Sequence, residues 1–448
     1  MKLTFHGGAG SVTGANYLLE SGDTRILVDC GLQQGGRFAE RQNFEPFAYD
    51  PASISAVFIT HAHIDHIGRI PKLYRDGFRG RIFSTRPTKD FSELLLLDSE
   101  HVMAKEAEHH GLRPLLTPEE IHGAMHLWHG LPYHEPVTVG PFIVEFFDAG
   151  HILGSATVRI TAEGKTVVFS GDLGNYPAPI IMPTEPLPQT DFVVIESTYG
   201  NRVHECVHHR EKELEQAVHD IIKRKGVLVI PAFAMERTQD LLYHLNDMIE
   251  HGRVPKIPVY IDSPLAIKLT VVYKKYEDYF NRETRGLVRK GDDILNFPGL
   301  HLSLTTEQSK EINDVPPPKV VIAGSGMSHG GRILYHELRY LPDRKNMLLI
   351  VGYQGAGSLG RQIVDGADMV TIMGERIPVR AEVRSLSGYS AHADQPRLLA
   401  WLLPRKAELR RVFVVQGEEG SSTVLAEKIV GEVGVPAEVP KAGESVEL

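Results

Sequence analysis

Three imidazoles and a carboxylate fall within six residues in His61-Ala62-His63-Ile64-Asp65-His66. Neutral imidazole nitrogen and carboxylate oxygen are donors that zinc favours, and a catalytic zinc site keeps one position open for a water whose pKa falls to about 7. In extended backbone His61 and His63 project to one side, and a turn after them brings Asp65 and His66 to a neighbouring point. Two adjacent metal positions come within reach, but further ligands must arrive from elsewhere. His151, in Ala149-Gly150-His151-Ile152-Leu153-Gly154-Ser155, and Asp172, in Ser170-Gly171-Asp172-Leu173-Gly174, are the candidates, each beside glycines that permit close backbone approach. Scattered surface histidines and a turn aspartate are the bland alternative, and either residue taken singly would carry little. Asp29 reads in two ways, as a turn carboxylate or as a hydrogen-bond partner that orients a ligand.

Such residues need strand ends to hold them. Up to about Asn201 the chain shows short β-branched runs separated by Gly, Asp and Pro: Met1–Phe5, Tyr17–Leu19, Arg25–Asp29, Ala56–Thr60, Arg81–Ser84, Phe142–Asp148, Thr157–Thr161, Thr166–Ser170 and Phe192–Glu196. The strand Ala56–Thr60 delivers the chain directly to His61. One long helix is expected over Thr88–His110, and Thr117 followed by Glu120 reads as a capping box opening another. From about Arg210 the rhythm becomes helix, strand, helix, with buried-type strands at Gly226–Pro231, Val259–Asp262, Val320–Ala323 and Asn346–Val351, the pattern of a parallel α/β unit. Pro316-Pro317-Pro318 is a stiff connector. After about Ser385 come motif-rich loops, a helix near Gln395–Leu402 and a strand Arg411–Val415. A first domain over 1–205 is therefore expected to be interrupted by an inserted unit at 206–384 and to resume over 385–448.

The totals fit this organisation. At 448 residues the chain is long enough for two or three folded units, and 42% apolar with 23% charged residues is an ordinary globular balance. No apolar run reaches the roughly 18 residues of a membrane span, and the opening residues read as a strand rather than a signal peptide, so a cytoplasmic protein without a membrane partner is expected. Cys30 and Cys206 are too few for a thiolate cage and are read as reduced and structural. A net charge of -9 argues against indiscriminate coating of nucleic acid and leaves room for a local basic groove. Nothing fixes the copy number, and a homodimer is an admissible assembly.

Taken in order, Asp29, the His-x-His-x-Asp-His run at 61–66, His151 and Asp172 resemble the four motifs of the metallo-β-lactamase superfamily. Glu196 in Glu196-Ser197-Thr198-Tyr199-Gly200 and His392 in Ser387-Gly388-Tyr389-Ser390-Ala391-His392-Ala393-Asp394 look like two further motifs of its β-CASP nucleases. Pro231–Arg237, Asp262-Ser263-Pro264 and Gly324-Ser325-Gly326-Met327-Ser328 extend the likeness to nearly the whole chain. It is nearest to compact bacterial relatives of the polyadenylation endonuclease. The resemblance implies an α/β chain in which an αββα sandwich carries an inserted parallel α/β β-CASP domain. It implies one zinc held by His61, His63, His151 and Asp172 and a second held by Asp65, His66 and a bridging Asp172. One position departs: where a histidine usually completes the second zinc site, Val414-Val415-Gln416-Gly417-Glu418 carries glutamine, a poorer zinc ligand, so the second ion is expected to bind weakly.

The activity so implied is hydrolysis of single-stranded RNA. A hydroxide between two zinc ions would attack phosphorus, with Asp29 and Asp65 in the catalytic group and His392, oriented by Glu196, protonating the departing oxygen to leave a 5′-phosphate and a 3′-hydroxyl. The inserted unit would act as a lid that admits a single strand. Ser325 and Gly326, just after a buried strand, could offer a hydroxyl and an amide to phosphate, an ordinary strand-to-helix turn being the equal alternative. Arg237, early in an expected helix Ala234–Ile249, could clamp another phosphate, where such an arginine is otherwise a solvated helix residue. His109, His110, His122, His126 and His129 are read as solvated or capping, His204, His208 and His209 as a surface turn, and Leu94–Leu97 as helix core. Rival readings are a hydrolase of DNA, of a thioester or of a lactone, and an RNA-binding paralogue with weakened catalysis, for which Gln416 is the support.

Overall fold

The computed structural model describes residues 1–34, 41–110, 114–204, 210–352, 354–355, 357–386 and 389–448, and at 105–110 the backbone alone. Cys206, His208, His209, Ser387 and Gly388, and the side chains of His109 and His110, lie outside the described residues. The chain divides into two compact units, one of Met1–Tyr176, Met182–Val203 and His392–Leu448, the other of Pro177–Ile181 and His204–Ala391. Resumption of the first unit falls at His392 rather than at 385, because Glu382–Ser385 is a strand that pairs in parallel with Met347–Ile350 inside the second unit's sheet.

Two seven-stranded sheets make the first unit. One runs Ser445–Glu447, Lys2–Gly7, Asn16–Ser21, Thr24–Val28, Ala56–Phe58, Arg81–Thr85, Trp128–Leu131. The other runs Ala437–Glu438, Arg411–Val415, Phe192–Glu196, Lys165–Phe169, Ala156–Ala162, Phe142–Asp148, Val137–Val139. Each is antiparallel at one side and parallel at the other. Alternation along the strands sends successive residues to opposite faces. Phe5, Val28, Phe58, Phe146, Phe169, Val194 and Phe413 fill the layer between the sheets. Their neighbours Leu27, Val57 and Ile59 turn outward onto the helix side with Ile70, Leu73, Leu96 and Ile121, while Val193, Ile195, Val412 and Val414 meet Leu398, Leu402 and Leu425. Helices thus cover both outer faces, and the αββα sandwich expected from the resemblance is the fold of this unit.

The parallel end of each sheet positions the chemistry. Thr24–Val28 and Ala56–Phe58 run side by side in parallel, so their C-terminal ends release Asp29 and the His61–His66 loop at the same edge. Lys165–Phe169, Phe192–Glu196 and Arg411–Val415 are likewise parallel and present Asp172, Glu196 and Gln416 together. The expected strand Arg25–Asp29 stops at Val28, because Asp29 takes φ 59 and turns the chain. The helix expected over Ala234–Ile249 starts at Arg237, because Glu236 has φ 61 and breaks the turn before it. Thr117 and Glu120 form the reciprocal capping box. His122, His126 and His129 are exposed, and Leu96 lies in the core.

The second unit holds a six-stranded, all-parallel sheet in the order Leu300–Leu302, Val259–Asp262, Lys319–Ala323, Val227–Pro231, Met347–Ile350, Glu382–Ser385. Its central strands are wholly buried, as the continuous apolar runs require. Among the described residues no helix is long and apolar enough to cross a membrane.

Candidate metal centre

After Phe58 the chain leaves the sheet through Ile59 and Thr60, and His63 precedes a single helical turn, Ile64–Ile67, that carries Asp65 and His66. Gly31 lets the neighbouring loop close on this turn: a Cβ there would stand 1.5 Å from the carbonyl oxygen of Asp65. A second close approach joins the other loops, since a Cβ on Gly174 would stand 1.8 Å from the carbonyl oxygen of Gly150. Gly174 also donates its amide to Ala149 and forms a β-bridge with His392. The loops bearing His151, Asp172 and His392 are therefore locked backbone to backbone.

Four side chains converge where these loops meet. Nε2 of His61 lies 3.0 Å from Nδ1 of His63 and 3.3 Å from Oδ2 of Asp172. Nε2 of His151 lies 3.3 Å from Nδ1 of His63 and 3.6 Å from the same Asp172 oxygen. All four atoms fall within 4.8 Å of one another. Donors bound tetrahedrally at about 2.0–2.1 Å from zinc stand about 3.3–3.4 Å apart, so this spacing fits a shared divalent ion. Protonation suits it too. Burial, aided by the neighbouring histidines, holds His63 and His151 well below the usual imidazole range. Burial raises the Asp172 pKa, but the imidazoles of His66, His61 and His392 outweigh it and keep the carboxyl ionised. A buried neutral imidazole and a carboxylate are the forms that bind metal.

Beside this quartet lies a second group. His66 presents Nε2 3.4 Å from Oδ1 of Asp172 and 3.8 Å from Asp65. Its other nitrogen, Nδ1, is 2.7 Å from Oδ2 of Asp29. Burial lowers the His66 pKa, while Asp172, Asp29 and Asp65 raise it further than burial lowers it. Burial raises the Asp65 pKa, with Asp172 adding to it. Gln416, at φ 49 and buried, places Nε2 3.0 Å from Oδ1 of Asp172 and 2.9 Å from Nε2 of His66.

Glu196 and His392 complete the edge. Glu196 is fully buried at the end of its strand and accepts from the Leu173 amide at 2.6 Å. Nδ1 of His392 lies 3.3 Å from Oε2 of Glu196 and 3.8 Å from Oδ2 of Asp172. Burial lowers the His392 pKa, but the Glu196 and Asp172 carboxylates prevail and push it up to about 9. Asp172, Glu196 and His392 also bring ligand atoms within 4.8 Å of one another.

Several supports have no distinctive sequence signal. Thr60 donates through N and Oγ1 to the two oxygens of Asp29, 2.8 Å each, and its hydroxyl stands 3.1 Å from Nδ1 of His61. Ser155 accepts from the amide of His151 at 3.0 Å, and Asp148 accepts from that of Gly150 at 2.8 Å. A threonine before a histidine or a serine in a glycine-rich loop is too common to single out beforehand.

The three expected phosphate contacts belong to the second unit. Arg237 is buried, with Nη1 bonded to Asp240 at 2.9 Å and its guanidinium 5.7 Å from the ring centre of Tyr389, so its charge is committed within the unit. Ser325 follows the strand Lys319–Ala323, and its hydroxyl accepts from the amides of His329 and Gly330 at 3.0 and 3.3 Å. Gly326 packs on the Phe233 ring, which a Cβ would meet at 2.7 Å. The next helix, Ile333–Tyr340, begins several residues later, so neither Ser325 nor Gly326 sits at its first turn.

Comparison with known proteins agrees with this architecture. Residues 24–229 match a beta-lactamase superfamily domain, residues 238–363 a Beta-Casp domain, and residues 376–440 a Zn-dependent metallo-hydrolase RNA specificity domain. A ribonuclease of Thermus thermophilus is 39% identical over 447 residues, covering 100% of both chains. The transcription termination factor FttA of Methanosarcina mazei is 32% identical over 467 residues, covering 100% of this chain and 72% of that protein. A crystal structure of a protein of unknown function from Enterococcus faecalis superposes with a TM-score of 0.58 at 13% identity, covering 100% of this chain and 99% of that one, a likeness of fold alone.

Proposed function

The chain belongs to the β-CASP family of metallo-β-lactamase-fold hydrolases, and from that membership we propose that it is a zinc-dependent ribonuclease that cuts single-stranded RNA in the cytoplasm. The observation that carries this reading is the convergence of His61, His63, His151 and Asp172 beside the Glu196–His392 pair. The match of residues 376–440 to an RNA specificity domain, and the likeness to a ribonuclease, support RNA as the substrate.

His61, His63, His151 and Asp172 would hold the ion. When bound there, a divalent cation supplies a Lewis acid that lowers the pKa of a water and offsets charge growing on phosphoryl oxygen. The remaining work belongs to the protein. Glu196 holds His392 through Nδ1, which leaves Nε2 to deliver a proton to the departing ribose oxygen. The products expected are a 5′-phosphate and a 3′-hydroxyl. Asp29, through Thr60 and His66, keeps two histidines in register. Arg237, Ser325 and Gly326 are the phosphate contacts that the resemblance implies for this reading.

Product mapping tests it. The zinc-loaded chain is incubated with 5′-labelled single-stranded RNA, and in parallel with single-stranded DNA and with S-lactoylglutathione. Shortened RNA ending in 3′-hydroxyl groups, with the other two unchanged, is the expected result. RNA binding without cleavage in excess zinc or manganese would leave a scaffold protein, and turnover of the thioester alone would leave a different hydrolase.

A further inference from the structure

Two of the three side chains expected to hold a second ion, Asp172 and His66, are already engaged. Nε2 of Gln416 lies 3.0 Å from Oδ1 of Asp172 and 2.9 Å from Nε2 of His66. An ionised carboxylate only accepts hydrogen bonds, so the amide group turned to Asp172 is the NH2 and not the carbonyl. The same NH2 stands against Nε2 of His66. The ring is held by Asp29, to which Nδ1 donates at 2.7 Å, so that Nε2 faces the amide nitrogen at 2.9 Å. The amide oxygen points the other way and accepts from the Tyr17 hydroxyl at 3.4 Å.

The surroundings keep the amide there. Gln416, Tyr17, His66 and Asp172 are all buried, so water does not compete for these bonds. Gln416 is also tied by its backbone, whose amide donates to Gly8 at 2.6 Å. A zinc ion needs donors at about 2.0–2.1 Å and lone pairs aimed at it. Here the amide nitrogen of Gln416 occupies the approach to both atoms. The atoms of His61, His63, His151 and Asp172 lie within 4.8 Å of one another, a spacing that fits an ion.

We infer that this chain uses one metal ion, and that the side-chain amide of Gln416 stands where a second ion would sit, donating to Asp172 and lying against Nε2 of His66. The inference rests on the quartet being a metal site. Asp172 would then serve the ion through its other oxygen, with a neutral donor in place of a cation at Oδ1.

Metal counting decides it. The full chain is stripped with chelator, reloaded in excess zinc and desalted, and ions per chain are measured by plasma mass spectrometry and by native mass spectrometry. Gln416→His and Gln416→Glu are treated alike; the second keeps the side-chain length and removes both hydrogens, and serves if the first does not fold. One ion in the unaltered chain and two in a folded variant are expected. Two ions in the unaltered chain overturn the inference, as does a single ion in every folded variant. No ion in the unaltered chain would bring down the quartet's assignment itself, a result distinct from the other two.

Discussion

His66 donates through Nδ1 to Oδ2 of Asp29 at 2.7 Å, so a carboxylate at the end of one strand decides which nitrogen a histidine on the next loop turns toward Asp172. Thr60 fills the remaining positions on that carboxylate and touches His61 as well. Asp29→Asn would set an NH2 against groups that all donate. Zinc affinity should fall on the order of 10–100-fold, as for other partners that orient ligands. Competition against a chromophoric chelator measures it, and an unchanged affinity would remove Asp29 from the centre.

Zinc should stabilise the fold through the quartet. At a free zinc concentration one hundred times its dissociation constant, linkage predicts about 2.7 kcal/mol. The melting midpoint of the stripped chain should therefore rise on adding zinc, and that rise should vanish in His151→Ala. A retained response would place the ion elsewhere.

His392 pairs with Glu196 and lies outside the quartet. His392→Ala should lower kcat on RNA by roughly 10²–10⁴-fold with bound zinc unchanged. Glu196→Gln should cost less, because the histidine remains and only its orientation suffers. Loss of zinc in His392→Ala would make it a ligand instead, which its place near Asp172 makes a real alternative to measure.

Gly174 is the contact through which the loops of His151 and Asp172 press together. Gly174→Ala places a methyl group against the Gly150 carbonyl, which must move. Zinc affinity and thermal stability should fall together, whereas an alanine at exposed Gly164, with open space around it, should disturb only local stability through its φ of 71°.

Glu337 in the second unit is fully buried, and burial pushes its carboxyl up to about 7, offset only partly by a hydrogen bond from Ser328. In the unfolded chain it titrates near 4.5. Between these values the folded state keeps a proton that the unfolded state has lost, so the contribution is full below pH 4.5 and is lost as pH rises to about 7. The difference amounts to roughly 3 kcal/mol. Glu337→Gln should gain stability relative to the unaltered chain by about that amount between pH 4 and pH 8, read as the change in the difference of their unfolding free energies. A pH-independent difference would refute the assignment.

The legible parts of the site were those where chemistry is dense along the chain. His61, His63, Asp65 and His66 crowd one loop, and His151 and Asp172 sit among glycines, so residue type and spacing sufficed. Asp29 stayed ambiguous because its φ of 59° and its reach to His66 are three-dimensional facts. Elements with weak patterns escaped notice. Trp128–Leu131 is half exposed, and Glu382–Ser385 is a charged edge strand whose Arg384 and Glu382 pair with Asp220 and Arg224. The hairpin of Met369–Ile372 and Glu375–Pro378 turns on Met373-Gly374, both at positive φ, where asparagine or aspartate would have announced it.

Strand order has a consequence for biosynthesis. All four quartet residues are synthesised by Asp172, whereas His392 and the strand Arg411–Val415 that lies beside Phe192–Glu196 follow only after the entire second unit. A nascent polypeptide on the ribosome thus carries all four quartet residues before His392, the proposed proton donor, has been made. The gene's layout thereby places His392 late in translation, after every residue of the quartet.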